Sequence, residues 1–244
     1  MPPTQLAYNV FDAFTAKRFR GNPAAVIVLQ PDHGLSDEIL QLIGREFNLS
    51  ETAFLVPLED HREDAPHFSL RWFTPHLEAP LCGHATLAAA CHLRLNYPEL
   101  RPAVPLRVAR IWRAQNIPVA LAEAERISRP VLRTKRGYMV EVAGTVDVSS
   151  VVHDSVAIAR DIKIGQCVLT GPHEPTADDD SQVHSRMFAC GSGIDEDPVT
   201  GSAHTRIVPL VRESGSWIRC GFRDEGRVLL RGHGVKVAEG VLFL

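Results

Sequence analysis

The sequence predicts an α+β protein made of two related halves. Two observations carry this expectation. Each half runs through short strand-like segments, then a small-residue turn, then a helix rich in small and apolar residues. The pattern occurs twice and not as a longer array, so a solenoid is excluded. The 244 residues suit this division, since a domain holds roughly 100–200 residues. The expected boundaries are a first domain over residues 1–105, a basic connector over 106–137, and a second domain over 138–244.

In the first half, residues 8–14 alternate in part and carry aromatic side chains, as a strand would. Gly21-Asn22-Pro23 is a turn signal before the apolar run 24–29. Ser36 precedes Asp37 and Glu38, and apolar residues recur at Ile39, Leu40, Leu42, Ile43 and Phe47, so a capped helix is expected there. Residues 52–56 and 67–73 read as strands flanking a charged connector over 59–66. Leu81-Cys82-Gly83-His84 then leads into residues 85–95, apolar nearly all round and therefore expected as a buried helix.

In the second half, 138–142 is a strand candidate, 154–161 a helix and 166–170 a strand. An acidic loop follows at Asp178, Asp179 and Asp180, and then a strand over 185–189. Gly191-Ser192-Gly193 and Asp195-Glu196-Asp197-Pro198 precede Thr200-Gly201-Ser202-Ala203, which opens a helix to about residue 212. The tail is strand-like over 227–230 and 235–244.

Composition excludes several function classes. A net charge of −3 and a pI near 6.4 argue against a general nucleic-acid binder. No run reaches the ~18 apolar residues of a membrane span, and the first residues lack the pattern of a signal peptide. Five cysteines without a CxxC pair do not make a disulfide scaffold, so a cytoplasmic setting is expected. Residues 101–137 hold nine Lys or Arg against Glu123 and Glu125, a local charge of 9 − 2 = +7. Prolines such as Pro102, Pro105 and Pro118 interrupt this stretch, and aromatic interleaving is limited to Trp112. A solvated connector is therefore favoured over an anion-binding patch.

Three residues have the chemistry of a catalytic site. Glu51 lies between a helix and an apolar strand, where a half-buried carboxylate gains acid–base use; a solvated turn residue is the alternative. His84 opens the first buried helix, where it could relay a proton or simply cap the helix, and the free N–H groups of such a helix start hold anions. Asp197 precedes Pro198 and the second helix start, where an Asx-turn is the structural alternative. Two helix starts of this kind suit a small carboxylate ligand. No Walker-type loop is present for a phosphate, and Cys82-x-His84 alone is too weak a pattern to predict a metal.

Several ordered motifs resemble the PhzF-like isomerases of phenazine biosynthesis. They are Phe11-Asp12-Ala13-Phe14, Gly21-Asn22-Pro23-Ala24-Ala25-Val26, Asn48-Leu49-Ser50-Glu51-Thr52-Ala53-Phe54, Arg71-Trp72-Phe73-Thr74-Pro75 and Leu81-Cys82-Gly83-His84-Ala85-Thr86. Ser185-Arg186-Met187-Phe188-Ala189 and the run from Gly193 to His204 complete the set. The resemblance is strong over 8–97 and 184–212, weaker over 138–170 and 226–244, and not visible over 101–137. It implies a diaminopimelate epimerase-like fold, in which two similar domains each place a curved, mostly antiparallel sheet around a central helix. It also implies cofactor-independent isomerase chemistry on a small, cyclic carboxylate, with trans-2,3-dihydro-3-hydroxyanthranilate as the phenazine enzyme's substrate.

Carried over by motif, Glu51 is the general acid and base, and His84 and Asp197 are its catalytic companions. Asn22, Ser50, Gly83, Gly201 and Ser202 are implied as substrate-binding residues, and a homodimer as the assembly. No metal, nucleic acid or membrane partner is expected. The chain departs from the family pattern at Cys190, where a proline is usual, and at 220–226, where an arginine position reads as Asp224. Two alternatives stay open. One is a two-cysteine epimerase or racemase using Cys82 and Cys190, and the other a catalytically silent interaction protein.

Overall fold

The structure is a computed structural model and describes residues 4–58, 67–97, 132–134, 137–162, 165–176, 183–207, 219–223 and 227–244. The chain divides into two compact units, Met1–Arg110 with Gly232–Leu244, and Ile111–Arg231. Among the described residues no helix is long and apolar enough to cross a membrane.

The first unit is a six-stranded sheet with a helix on each face. Its strands are β1 (Gln5–Ala13), β2 (Asn22–Val28), β3 (Glu51–Leu58), β4 (His67–Phe73), β5 (Glu78–Ala79) and β13 (Gly234–Phe243), in the order β13-β1-β2-β3-β4-β5. Only β2 and β3 run parallel; the other pairs are antiparallel. The parallel pair needs a crossover, and helix α1 (Asp37–Phe47) supplies it. The Ser36 hydroxyl accepts the Ile39 N–H at 3.4 Å, and Asp37 and Glu38 occupy the first turn, as the sequence pattern predicts.

Alternation along the strands sends side chains to two cores. Phe11, Ala24, Val26, Ala53, Leu55 and Trp72 face helix α2 (Gly83–Asn96), while Ile27, Phe54 and Phe73 face Leu40 and Ile43 of α1. Each such fully buried large side chain contributes roughly 1.5–3 kcal/mol. α1 lies so close to β4 that a Cβ on Gly44 would meet the Phe73 Cβ at 3.0 Å. Helix α2 buries His84, Ala85, Ala88, Ala89, His92 and Leu93, but Leu95 is 45% exposed. The all-round burial expected of this helix is thus confined to one face, where alanines let it approach the sheet closely.

The second unit repeats the plan. Its strands are β6 (Leu132–Thr134), β7 (Gly137–Glu141), β8 (Gln166–Pro172), β9 (Val183–Ala189) and β10 (Ile194–Asp197), in the order β10-β9-β8-β7-β6. Here β7 and β8 form the parallel pair, and α3 (Ser155–Asp161) lies in their crossover. Met139, Val168, Met187 and Ala189 pack against Ala203 and Ile207 of α4 (Gly201–Ile207), while Val142, Leu169 and Phe188 line the other face. Strand for strand, β6–β10 match β1–β5. A separate two-stranded ribbon pairs β11 (Arg219–Arg223) with β12 (Arg227–Arg231).

The α+β class expected from the sequence is the one observed. Two placements differ from the sequence reading. The tail strand β13 was expected in the domain over 138–244, yet it pairs with β1 from Gln5↔Phe243 to Ala13↔Gly234. Alternation identifies a strand but not its partner, and this pairing joins opposite ends of the chain. Leu132–Thr134 was assigned to the connector over 106–137, and it forms β6. Asp197, for which an Asx-turn was the structural alternative, is the last residue of strand β10. The charged connector at 59–66, the rest of the basic stretch through 131, the acidic loop at 178–180, the helix beyond 207 and Asp224 lie outside the described residues.

Candidate active site

The site in the first unit is assembled by three element starts. Asn22 and Glu51 are the first residues of the parallel strands β2 and β3, and both follow the side-chain alternation that faces α2. Ala24 lies opposite Glu51 in the register, which puts both strand starts at one end of the sheet. Helix α2 begins at the same place, because Cys82 caps it: its sulfur accepts the Ala85 N–H at 3.5 Å. Gly83 is the first residue of α2 and His84 the second. The first turn of α2 carries no acidic side chain of its own. Glu51 therefore brings a carboxylate to the positive end of the helix.

The hydrogen bonds around His84 define its state. Ser50 donates its hydroxyl proton to Asn22 Oδ1 at 3.1 Å, so the Ser50 oxygen is free to accept from His84 Nε2 at 3.2 Å. Glu51 Oε2 lies 3.5 Å from the same nitrogen. At the second ring nitrogen, Cys82 Sγ sits 3.3 Å from Nδ1. With the proton on Nε2, Nδ1 accepts the thiol proton and every contact is satisfied. This tautomer is assigned from the network. His84 and Cys82 are each 4% exposed, and the Glu51 side chain 13%. Among the described residues, Glu51, Cys82 and His84 also form a group whose potential metal-ligand atoms lie within 4.8 Å of one another.

Such a group can move a proton. Glu51 is a carboxylate with limited water, next to a donor that stabilises its anion. Asn22 and Ser50 offer polar contacts, and Gly83 leaves the helix start open to a ligand.

Asp197, Gly201 and Ser202 belong to the second unit. Asp197 is buried and accepts a hydrogen bond from the Thr200 hydroxyl. Gly201 opens α4, and the Ser202 hydroxyl accepts from Gln166 Nε2 at 3.1 Å. His204 donates its Nδ1 proton to the Thr200 carbonyl at 2.8 Å, and burial pushes its pKa down. Cys190 sits in a 3-10 turn after β9; burial pushes its thiol pKa up, opposite to what a reactive thiolate needs.

Sequence reasoning missed Gln166 and Thr200 as partners of the candidate residues, and it missed Cys82 as the group that orients His84. Thr200 stood within a quoted motif, and its three-residue spacing from Asp197 was the available signal. Nothing at Gln166 marked it, because its role arises from strand placement.

A family described as phenazine biosynthesis-like protein matches residues 11–99 and 101–231. The match thus runs through the basic stretch, where the motifs alone showed no resemblance. A mouse phenazine biosynthesis-like domain-containing protein is 34% identical, over 98% of this chain and 99% of its own. An uncharacterized isomerase of Pseudomonas aeruginosa is also 34% identical, with the same coverage of both chains. The crystal structure of a PhzF-family phenazine biosynthesis protein from Enterococcus faecalis superposes with a TM-score of 0.72 at 27% identity, covering 98% of this chain and 100% of that one. A predicted epimerase from Pseudomonas aeruginosa shares the fold at a TM-score of 0.56 and 20% identity, over 97% and 99% of the two chains. The fold is diaminopimelate epimerase-like.

Proposed function

The chain belongs to the phenazine biosynthesis-like PhzC-PhzF family, and from that premise we propose that it is a cofactor-independent isomerase moving a proton between carbons of a small cyclic carboxylate. The observation that carries this reading is the contact between Glu51 and His84, 3.5 Å apart at the start of helix α2. Glu51 takes a proton from a substrate carbon, and the C–H electron pair spreads into the adjoining unsaturated system and carboxylate. The same carboxyl group then returns the proton to a second carbon. Because one group takes and returns the proton, no net acid or base is consumed.

His84 Nε2–H holds the Glu51 carboxylate in place and donates to polar groups of the substrate. Asn22, Ser50 and the N–H groups at Gly83 hold the substrate carboxylate or hydroxyl. For the second unit, taken by itself, the proposed roles are ligand contacts at Gly201 and Ser202, with Asp197 orienting a hydroxyl or amino group.

The test is deuterium uptake from D2O, followed by NMR, with a panel of small cyclic and amino-acid carboxylates that includes dihydro-hydroxyanthranilate. Enzyme-dependent exchange at carbon in a cyclic, unsaturated carboxylate supports the proposal. Exchange confined to the α-carbon of amino acids would instead support the two-cysteine epimerase reading.

A further inference from the structure

We propose that Glu51, Cys82 and His84 form a binding site for a thiophilic divalent cation of the zinc type, and that occupancy of this site switches the proton-transfer group off. The cation site stands on its own geometry; the switching clause rests on the isomerase reading.

The three side chains offer sulfur, nitrogen and oxygen, the donor types zinc takes, with all potential ligand atoms within 4.8 Å. Tetrahedral zinc holds neighbouring ligand atoms about 3.3–3.6 Å apart, given its bond lengths. Two of the pairs already have this span: Cys82 Sγ to His84 Nδ1 at 3.3 Å, and His84 Nε2 to Glu51 Oε2 at 3.5 Å. The two contacts run to different ring nitrogens and a single ion takes one of them, so the third donor has to close from within 4.8 Å to that span, by about 1 Å. Glu51, at the end of a strand and with the most exposed side chain of the three, is the donor able to make that movement.

Three features favour binding. The start of α2 is the positive end of the helix and carries no acidic side chain of its own, a setting that suits anionic donors. Cys82 is held by its capping bond to Ala85 N–H, which reduces the ordering cost. Three protein ligands leave a fourth position for water, as in an open zinc site. The sulfur donor selects zinc over magnesium or calcium, which prefer oxygen. Among the described residues, no other trio of such donors lies this close. A cation held here would occupy the carboxylate oxygen and imidazole that proton transfer needs, so the site would inhibit and not assist.

Cobalt(II) is the probe, titrated into the full chain without substrate and followed by optical absorption. The expected result is uptake of one cobalt per chain with a thiolate-to-cobalt charge-transfer band, displaced by zinc. The band should be lost in Cys82→Ala and retained in Cys91→Ala and Cys190→Ala. Absence of the band in the unaltered protein, or its survival in Cys82→Ala, overturns the proposal. Should Cys82→Ala fold poorly by circular dichroism, Glu51→Gln decides the matter. It should weaken cobalt binding at least tenfold, and unchanged affinity overturns the site. Because this titration needs no turnover, it stands or falls separately from isomerase activity. Where turnover is measured, micromolar zinc should suppress it and a chelator should restore it; zinc-insensitive turnover at saturating occupancy would remove the switching role.

Discussion

Cys82 holds one nitrogen of the His84 ring, at 3.3 Å, while Ser50 and Glu51 share the other at 3.2 and 3.5 Å. The imidazole is thus held at both of its nitrogens. The thiol partner sets which face the ring presents to the carboxylate, and its capping bond sets where the thiol can lie.

Cys82 is therefore expected to act as a positioning residue through His84. Cys82→Ala should lower kcat by about tenfold to a hundredfold with a smaller effect on KM, because a misplacement near 1 Å costs on that order. Cys82→Ser keeps both the cap and a donor toward Nδ1 and should recover most of the rate. Steady-state kinetics on the two variants would check this, and equal losses in both would argue for a direct role of the thiol.

Stability should fall on mild acidification. The pKa of His92 is lowered by burial, and further by the charge of Lys236; that of His204 is lowered by burial, partly offset by its bond to the Thr200 carbonyl. The neutral forms are the ones the fold favours. Their contribution is complete above the ordinary value near 6.5 and is lost as pH falls through the depressed folded values. Melting temperature should drop between about pH 7 and pH 5, above the range where carboxylates titrate. His92→Gln should flatten that slope. A melting temperature independent of pH across the window would contradict the burial argument.

Gly137 should be intolerant of any side chain. Its φ is +129°, and a Cβ there would stand 2.0 Å from the Gln166 carbonyl oxygen across the β7–β8 pair. Gly137→Ala should cost about 3 kcal/mol or more, by strain and by displacing the start of β8. Gly34 also has a positive φ, +63°, but its nearest atom would be 3.9 Å away. Gly34→Ala should cost only about 1 kcal/mol. Denaturant unfolding of the two variants measures the difference.

Much of this architecture is legible in the residues, for identifiable reasons. Helix α1 announces itself through Ser36, Asp37 and the spacing of its apolar positions, which are local signals. The long strands announce themselves by alternation. Strands β5, β6 and β10 do not, because two to four residues are too few to alternate. The union of β13 with β1 was hidden for another reason, since pairing is a property of two distant segments. At the site, the residue types made Glu51 and His84 candidates, and the resemblance of the Ser50-Glu51-Thr52 and Cys82-Gly83-His84 motifs singled them out. The role of Cys82 required the capping geometry, which turns its sulfur toward Nδ1. Gln166 became visible only once β8 had been placed.

The central claim is that Glu51 moves the proton. The most direct measurement is deuterium incorporation into an exchanging carboxylate, compared by NMR among the unaltered protein, Glu51→Gln and Cys82→Ala at matched folded concentration. General acid–base catalysis supplies about 10²–10⁴ in rate. Glu51→Gln should therefore lose exchange by at least about a hundredfold, and Cys82→Ala should keep a measurable part of it. Exchange surviving in Glu51→Gln while vanishing in Cys82→Ala would contradict the account and assign the chemistry to the thiol.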